Sequence, residues 1–128
     1  MAKHTIMVVE DERPLLEAVK KKLEMFDFEV LSARSVEQAV GCMTDVPGIE
    51  VIWLDHYLLG TEDGLDFVAK LKGNDDWKKI PVFVVSNTAS DDKVKTYLRL
   101  GVEKYYTKSD YRLDQIISDI QDYLKTKE

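Results

Sequence analysis

Five short β-rich runs, three of them nearly continuously apolar, alternate with five longer amphipathic stretches along this chain, and each run closes on a polar or charged residue. The runs are Thr5-Ile6-Met7-Val8-Val9, the stretch from Phe28 to Ala33, Val51-Ile52-Trp53-Leu54, Pro81-Val82-Phe83-Val84-Val85 and Lys104-Tyr105-Tyr106. Nearly continuous apolar runs of this length are what strands buried on both faces require. Strands separated by helix-length segments imply a parallel sheet with helices on both sides. Such connections are right-handed, which leaves few topologies.

The intervening segments carry helix signals. Pro14 suits a first helical turn, where its missing N–H is no loss. Leu15, Leu16, Val19, Leu23 and Phe26 follow at helical spacing, predicting a helix from residue 13 to about 26. Ser35 is placed to cap a second helix over Val36, Ala39, Val40 and Met43, ending before Pro47-Gly48. Leu65, Val68 and Leu71, with Phe67, mark a third that closes near Gly73. A fourth runs from 91 to about 100 and stops at Gly101, a position for a left-handed C-terminal residue. The last carries Leu113, Ile116, Ile117, Ile120, Tyr123 and Leu124.

At 128 residues the chain suits one domain spanning 1–128, and no output domain is expected after Thr126-Lys127-Glu128. Its 45% apolar and 33% charged residues describe a globular chain. A net charge of −6 offers no basic surface for phosphates, so no nucleic-acid partner is expected. No segment has the apolar length to span a bilayer, and the apolar stretch near the start is too short for a signal peptide and meets acids at once. With one cysteine, Cys42, read as filler on a helix face, a cytoplasmic location follows by default.

In a doubly wound sheet, ligands bind beyond the C-terminal ends of the strands. Those ends read Glu10-Asp11 (with Glu12), Asp55, Ser86 and Lys108. Carboxylates crowded in a shielded crevice repel one another unless a cation or a shared proton relieves them. All-oxygen ligation suits Mg²⁺, which keeps waters and favours phosphate oxygens. A lysine and a hydroxyl beside them complete the parts of a phosphoryl-transfer site.

Taken together, Ile6-Met7-Val8-Val9-Glu10-Asp11-Glu12, Trp53-Leu54-Asp55, Pro81-Val82-Phe83-Val84-Val85-Ser86 and Gly101-Val102-Glu103-Lys104-Tyr105-Tyr106-Thr107-Lys108 resemble the four signature segments of response-regulator receiver domains, from about Thr5 to Leu124. The resemblance implies a CheY-like, flavodoxin-like α/β fold: a doubly wound five-stranded parallel sheet of order 2-1-3-4-5 with five helices. It implies two-component signalling, with Asp55 as phosphoacceptor for a sensor histidine kinase or a histidine phosphotransfer protein. Asp11, Asp55 and the Tyr57 carbonyl would ligate Mg²⁺ (Mn²⁺ as a substitute), with Glu10 acting through a water. Lys108 would meet the phosphoryl oxygens, Ser86 and Tyr105 would switch, and Tyr57, Asn87 and Thr88 would modulate. The surface of the fourth helix, fifth strand and fifth helix would then meet a downstream effector, as a monomer or weak homodimer. Such a protein transfers a phosphoryl group to and from its own aspartate rather than turning over an external substrate.

Three departures stand out. Leu59-Gly60 replaces Pro-Gly, and Gly64 lies one residue later than usual, expected to loosen or re-aim the loop after Asp55. Asn87 replaces a small residue. Ser109 replaces a proline after Lys108, so a trans bond is expected, a non-proline cis bond costing ~2.5–4 kcal/mol. His56 is read as a packing or loop residue beside the site, and Trp53 as core. A receiver-like scaffold working without phosphorylation is the competing function, disfavoured by the complete set of site residues. A phosphatase is remote, because Tyr57 stands where such enzymes place a second aspartate.

Overall fold

The computed structural model describes residues 3–87 and 90–127. Strands and helices alternate as β1 (His4–Val9), α1 (Arg13–Met25), β2 (Phe28–Ala33), α2 (Val36–Asp45), β3 (Val51–Leu54), α3 (Gly64–Lys72), β4 (Val82–Ser86), α4 (Asp91–Arg99), β5 (Lys104–Thr107) and α5 (Leu113–Thr126). The strands form one parallel sheet in the order β2-β1-β3-β4-β5, as expected from the resemblance.

Strand parity divides the core in two. Met7, Val9, Ile52, Leu54, Val82 and Val84 face one side, where they pack against Val36, Ala39 and Met43 of α2, Phe67, Val68 and Leu71 of α3, and Tyr97 of α4. Ile6, Val8, Val51, Trp53, Phe83 and Val85 face the other, against Leu16, Val19 and Leu23 of α1 and Ile116, Ile117, Ile120 and Leu124 of α5. Because successive side chains of a strand point to opposite faces, every central residue is used, hence the unbroken apolar runs. Trp53 is core, and Cys42 packs half-buried against the first cluster.

Local chemistry sets the helix starts. Ser35 Oγ accepts from the Gln38 amide, as expected of its cap position. Asp63 and Asp66 form a reciprocal capping box at α3 that the apolar spacing did not announce. Phe67 rather than Leu65 points fully inward on α3, because the row facing the sheet is Phe67, Val68 and Leu71. Gly101 takes φ +96°, the left-handed conformation that ends α4.

The loop after Asp55 is not loosened by its extra residue. The Leu59 amide donates to the Arg34 carbonyl at 2.9 Å, and Ser35 pairs with Leu59 in a single parallel bridge. Gly60 takes up the turn at φ +87°, and the Gly64 amide closes the loop on the His56 carbonyl at 2.9 Å. Beyond β5, the Lys108–Ser109 bond is trans, and Lys108–Asp110 form a short 3-10 turn before α5.

Candidate functional site

Parallel strands present their C-terminal ends at one edge of the sheet, and the chemistry collects there. The Glu10 amide donates to the Ala33 carbonyl at 3.0 Å and the Asp55 amide to the Val9 carbonyl at 2.9 Å. Each bond continues the ladder one residue past its strand and fixes the acid's backbone. Glu10, Asp11 and Asp55 thereby bring one carboxylate oxygen each within 4.8 Å of one another. Glu10 and Asp55 are buried and Asp11 half-buried. Glu12, at the N-cap of α1, makes no side-chain capping bond, and its amide instead donates to Glu10 at 3.1 Å.

Lys108 enters this cluster from the end of β5. Its ammonium donates to Glu10 Oε1 at 2.8 Å and lies 3.4 Å from Asp55 Oδ2. Burial pulls the ammonium down, but the hydrogen bond to Glu10 and the Asp55 charge prevail and hold its pKa above the ordinary lysine value. One cation does not neutralise three acids. Burial, opposed by Lys108 and reinforced by Asp55, pushes the Glu10 carboxyl up to about 7. A site that raises a carboxyl this far has room for more positive charge, and its donors are hard oxygens of the kind Mg²⁺ and Mn²⁺ prefer.

The switch candidates meet on the neighbouring strands. Ser86 ends β4, is fully buried, and shares a side-chain hydrogen bond with Tyr105 of β5. Burial raises the Tyr105 phenol, which is half-buried. Asn87 is exposed next to Ser86, and Tyr57 is exposed with Lys93 Nζ 5.3 Å from the centre of its ring. Thr88 lies outside the described residues.

Two further contacts bear on the site and were not foreseen. Arg34 donates through Nε (3.0 Å) and Nη2 (2.7 Å) to the Asp11 carbonyl, tying the β1–α1 and β2–α2 loops together. His56, 3% exposed, donates its amide to Asp55 Oδ1 at 2.8 Å, while its Nδ1 lies 2.6 Å from the Tyr97 hydroxyl of α4. Burial, then Lys93, lowers the His56 pKa, and burial raises that of Tyr97. With the imidazole neutral and its proton on Nε2, which lies 3.7 Å from Asp63 Oδ2, Tyr97 O–H donates to Nδ1. No spacing rule announces either partner: one is a loop arginine, the other one residue on a helix face.

The response regulator receiver domain family matches residues 6–121. The chain belongs to this family. Among receiver-containing relatives it is 32% identical over 108 residues to the phosphate regulon transcriptional regulatory protein PhoB of Pseudomonas aeruginosa, covering 84% of this chain and 46% of that protein. It is 30% identical over 119 residues to the transcriptional regulatory protein KdpE of Mycobacterium tuberculosis, covering 91% and 49%. The chain thus spans about half the length of the curated relatives it matches. The Mn²⁺-bound form of response regulator Rcp1 matches with TM-score 0.81 at 27% identity, covering 94% of each chain. A response regulator receiver protein from Pseudomonas putida matches more closely in shape, with TM-score 0.87 at 20% identity, covering 95% of this chain and 98% of that one. Receivers are signalling modules rather than enzymes with an external substrate. Among the described residues of this receiver, no helix is long and apolar enough to cross a membrane.

Proposed function

We propose that this receiver accepts a phosphoryl group on Asp55 from a phosphohistidine of a sensor histidine kinase or histidine phosphotransfer protein, in a reaction that needs a divalent cation. One observation carries the reading: Asp55 sits buried within 4.8 Å of two further carboxylates and 3.4 Å from a lysine ammonium. A lone acid ending an apolar strand is costly; an acid in this company is a nucleophile held in a phosphate-binding site.

Asp11, Asp55 and the Tyr57 carbonyl would hold Mg²⁺, or Mn²⁺ in its place, with Glu10 reaching it through a water. When bound, the ion supplies positive charge for the phosphoryl oxygens and lowers repulsion against the attacking carboxylate. Asp55 attacks phosphorus as the P–N bond to the donor imidazole breaks, and the electron pair of that bond returns to the ring nitrogen. Lys108 offsets charge on the phosphoryl oxygens, for which it must give up part of its hold on Glu10. Ser86 turns its hydroxyl to the phosphoryl group, which takes it from Tyr105. The ring of Tyr105 then repositions, changing the surface of α4, β5 and α5 presented to an effector. Tyr57, Asn87 and Thr88 set access of the donor and of hydrolytic water.

Incubation with acetyl phosphate and Mg²⁺, followed by intact-mass spectrometry, tests this. The wild-type chain gains one phosphoryl group and Asp55→Asn gains none. No gain in the wild type refutes the reading and favours a scaffold that works unphosphorylated.

A further inference from the structure

α4 is held to the body of the molecule by very little. Of its nine residues, Tyr97 is the one that is fully buried; Lys93 and Val94 are half-covered and the others lie exposed. The Tyr97 side chain passes under the helix and ends on His56, the residue bonded through its own amide to the phosphoacceptor carboxylate. On the way its ring lies 5.7 Å from the Tyr105 ring, centre to centre. The hydroxyl is also walled in by the start of α3: a Cβ at Gly64 would collide with it and lie 2.9 Å from the Asp55 carbonyl. The end of this tether is therefore a built, close-packed seat rather than a chance contact.

From this arrangement we infer that His56 and Tyr97 are positioning residues that moor α4 directly to the phosphoacceptor strand, a second line of transmission beside Ser86 and Tyr105. Asp55, His56 and Tyr97 form one continuous path of two hydrogen bonds, 2.8 Å and 2.6 Å long. A change of charge or position at Asp55 shifts the His56 backbone, the imidazole moves with it, and α4 follows through its single buried anchor. A buried hydroxyl that loses its acceptor is strongly disfavoured, so the anchor holds until the imidazole itself moves. This inference rests on the phosphoryl-transfer reading for what happens at Asp55, but not for the mooring of α4.

Hydrogen–deuterium exchange of the α4 amides in the whole chain, with Mg²⁺ alone and with Mg²⁺ plus beryllofluoride, tests it. In the wild type, the phosphoryl mimic changes α4 exchange. Tyr97→Phe keeps the ring and removes the hydroxyl: resting α4 exchange rises roughly five- to tenfold, and the response to beryllofluoride falls by at least half. Phosphoryl gain from acetyl phosphate is retained, because Tyr97 touches no reacting group. His56→Leu behaves as Tyr97→Phe does, whereas His56→Asn restores the wild-type pattern, its Oδ1 replacing Nδ1 as acceptor. Rescue by asparagine separates a hydrogen-bonded mooring from mere filling of space. If Tyr97→Phe exchanges and responds as the wild type does, the inference is overturned. If the wild type neither gains a phosphoryl group nor responds to beryllofluoride, the signalling reading and this transmission both fall, and resting exchange in Tyr97→Phe still decides the mooring.

Discussion

Lys108 stands closer to Glu10 than to Asp55, 2.8 Å against 3.4 Å. The lysine in this site therefore leans toward the carboxylate expected to work through a metal-bound water, not toward the expected nucleophile. Its charge competes with any cation for the same oxygens.

That competition has a measurable sign. Lys108→Met should raise Mg²⁺ affinity, by roughly tenfold for a unit charge removed at this range. Phosphoryl gain from acetyl phosphate should slow at least ~100-fold, because a donor to the phosphoryl oxygens is lost. Calorimetric titration and time-resolved mass spectrometry read the two effects, and a fall in both would contradict the division of labour.

Glu10 makes the site pH-dependent. Its carboxyl is raised from 4.5 to about 7, so between those values the folded chain holds a proton that the unfolded chain has lost. The metal-free protein therefore loses stability as pH rises across that window, and the contribution is flat above it. The urea midpoint should fall from about pH 5 to about pH 7.5, and Glu10→Gln should flatten the curve. Metal needs the ionised acid, so Mg²⁺ affinity should rise through about pH 7. Below that pH, binding should release up to one proton, seen as an enthalpy that varies with the buffer.

Arg34 holds the Asp11 carbonyl with two donors. Arg34→Ala removes both and frees the loop that carries Asp11. Roughly 1–2 kcal/mol of stability should go with them, and Mg²⁺ affinity should weaken severalfold. Arg34→Lys, which lacks the planar fork, should recover only part of the affinity.

Most of the architecture was legible because both faces of the sheet are covered. Ile6 to Val9, Val51 to Leu54 and Val82 to Val85 had to be apolar at every position, and the helices between them had to repeat at their own period. The site was legible for a related reason: polar residues that end buried strands, such as Glu10, Asp55 and Ser86, have few other uses. Contacts that join distant segments were not. Nothing in the spacing of Tyr97 shows that its hydroxyl meets His56, and nothing local shows that Arg34 reaches Asp11. That the loop after Asp55 would be held rather than loosened was not legible, because its length was visible but its pairing with Arg34 and Ser35 was not.

Gly64 offers a double-mutant test of packing beside Asp55. A methyl group here meets the Tyr97 hydroxyl, the Asp55 carbonyl at 2.9 Å and His56 Cα at 3.1 Å. Gly64→Ala should destabilise by roughly 1–3 kcal/mol. Combined with Tyr97→Phe, the loss should be less than the sum of the two, with a coupling of at least ~0.5 kcal/mol, because one obstacle is already gone. Urea denaturation of the four proteins completes the cycle, and strict additivity would show that the hydroxyl is not the obstacle.

The sparse burial of α4 has a consequence for how such a chain diversifies. Asp91, Asp92, Lys95, Thr96, Leu98 and Arg99 all face solvent, and exposed helix positions usually tolerate exchange within about 0.5 kcal/mol. The exposed side of this helix can be rewritten residue by residue without endangering folding, so long as Tyr97 stays. A single inward tether leaves the outward side of the helix free to vary.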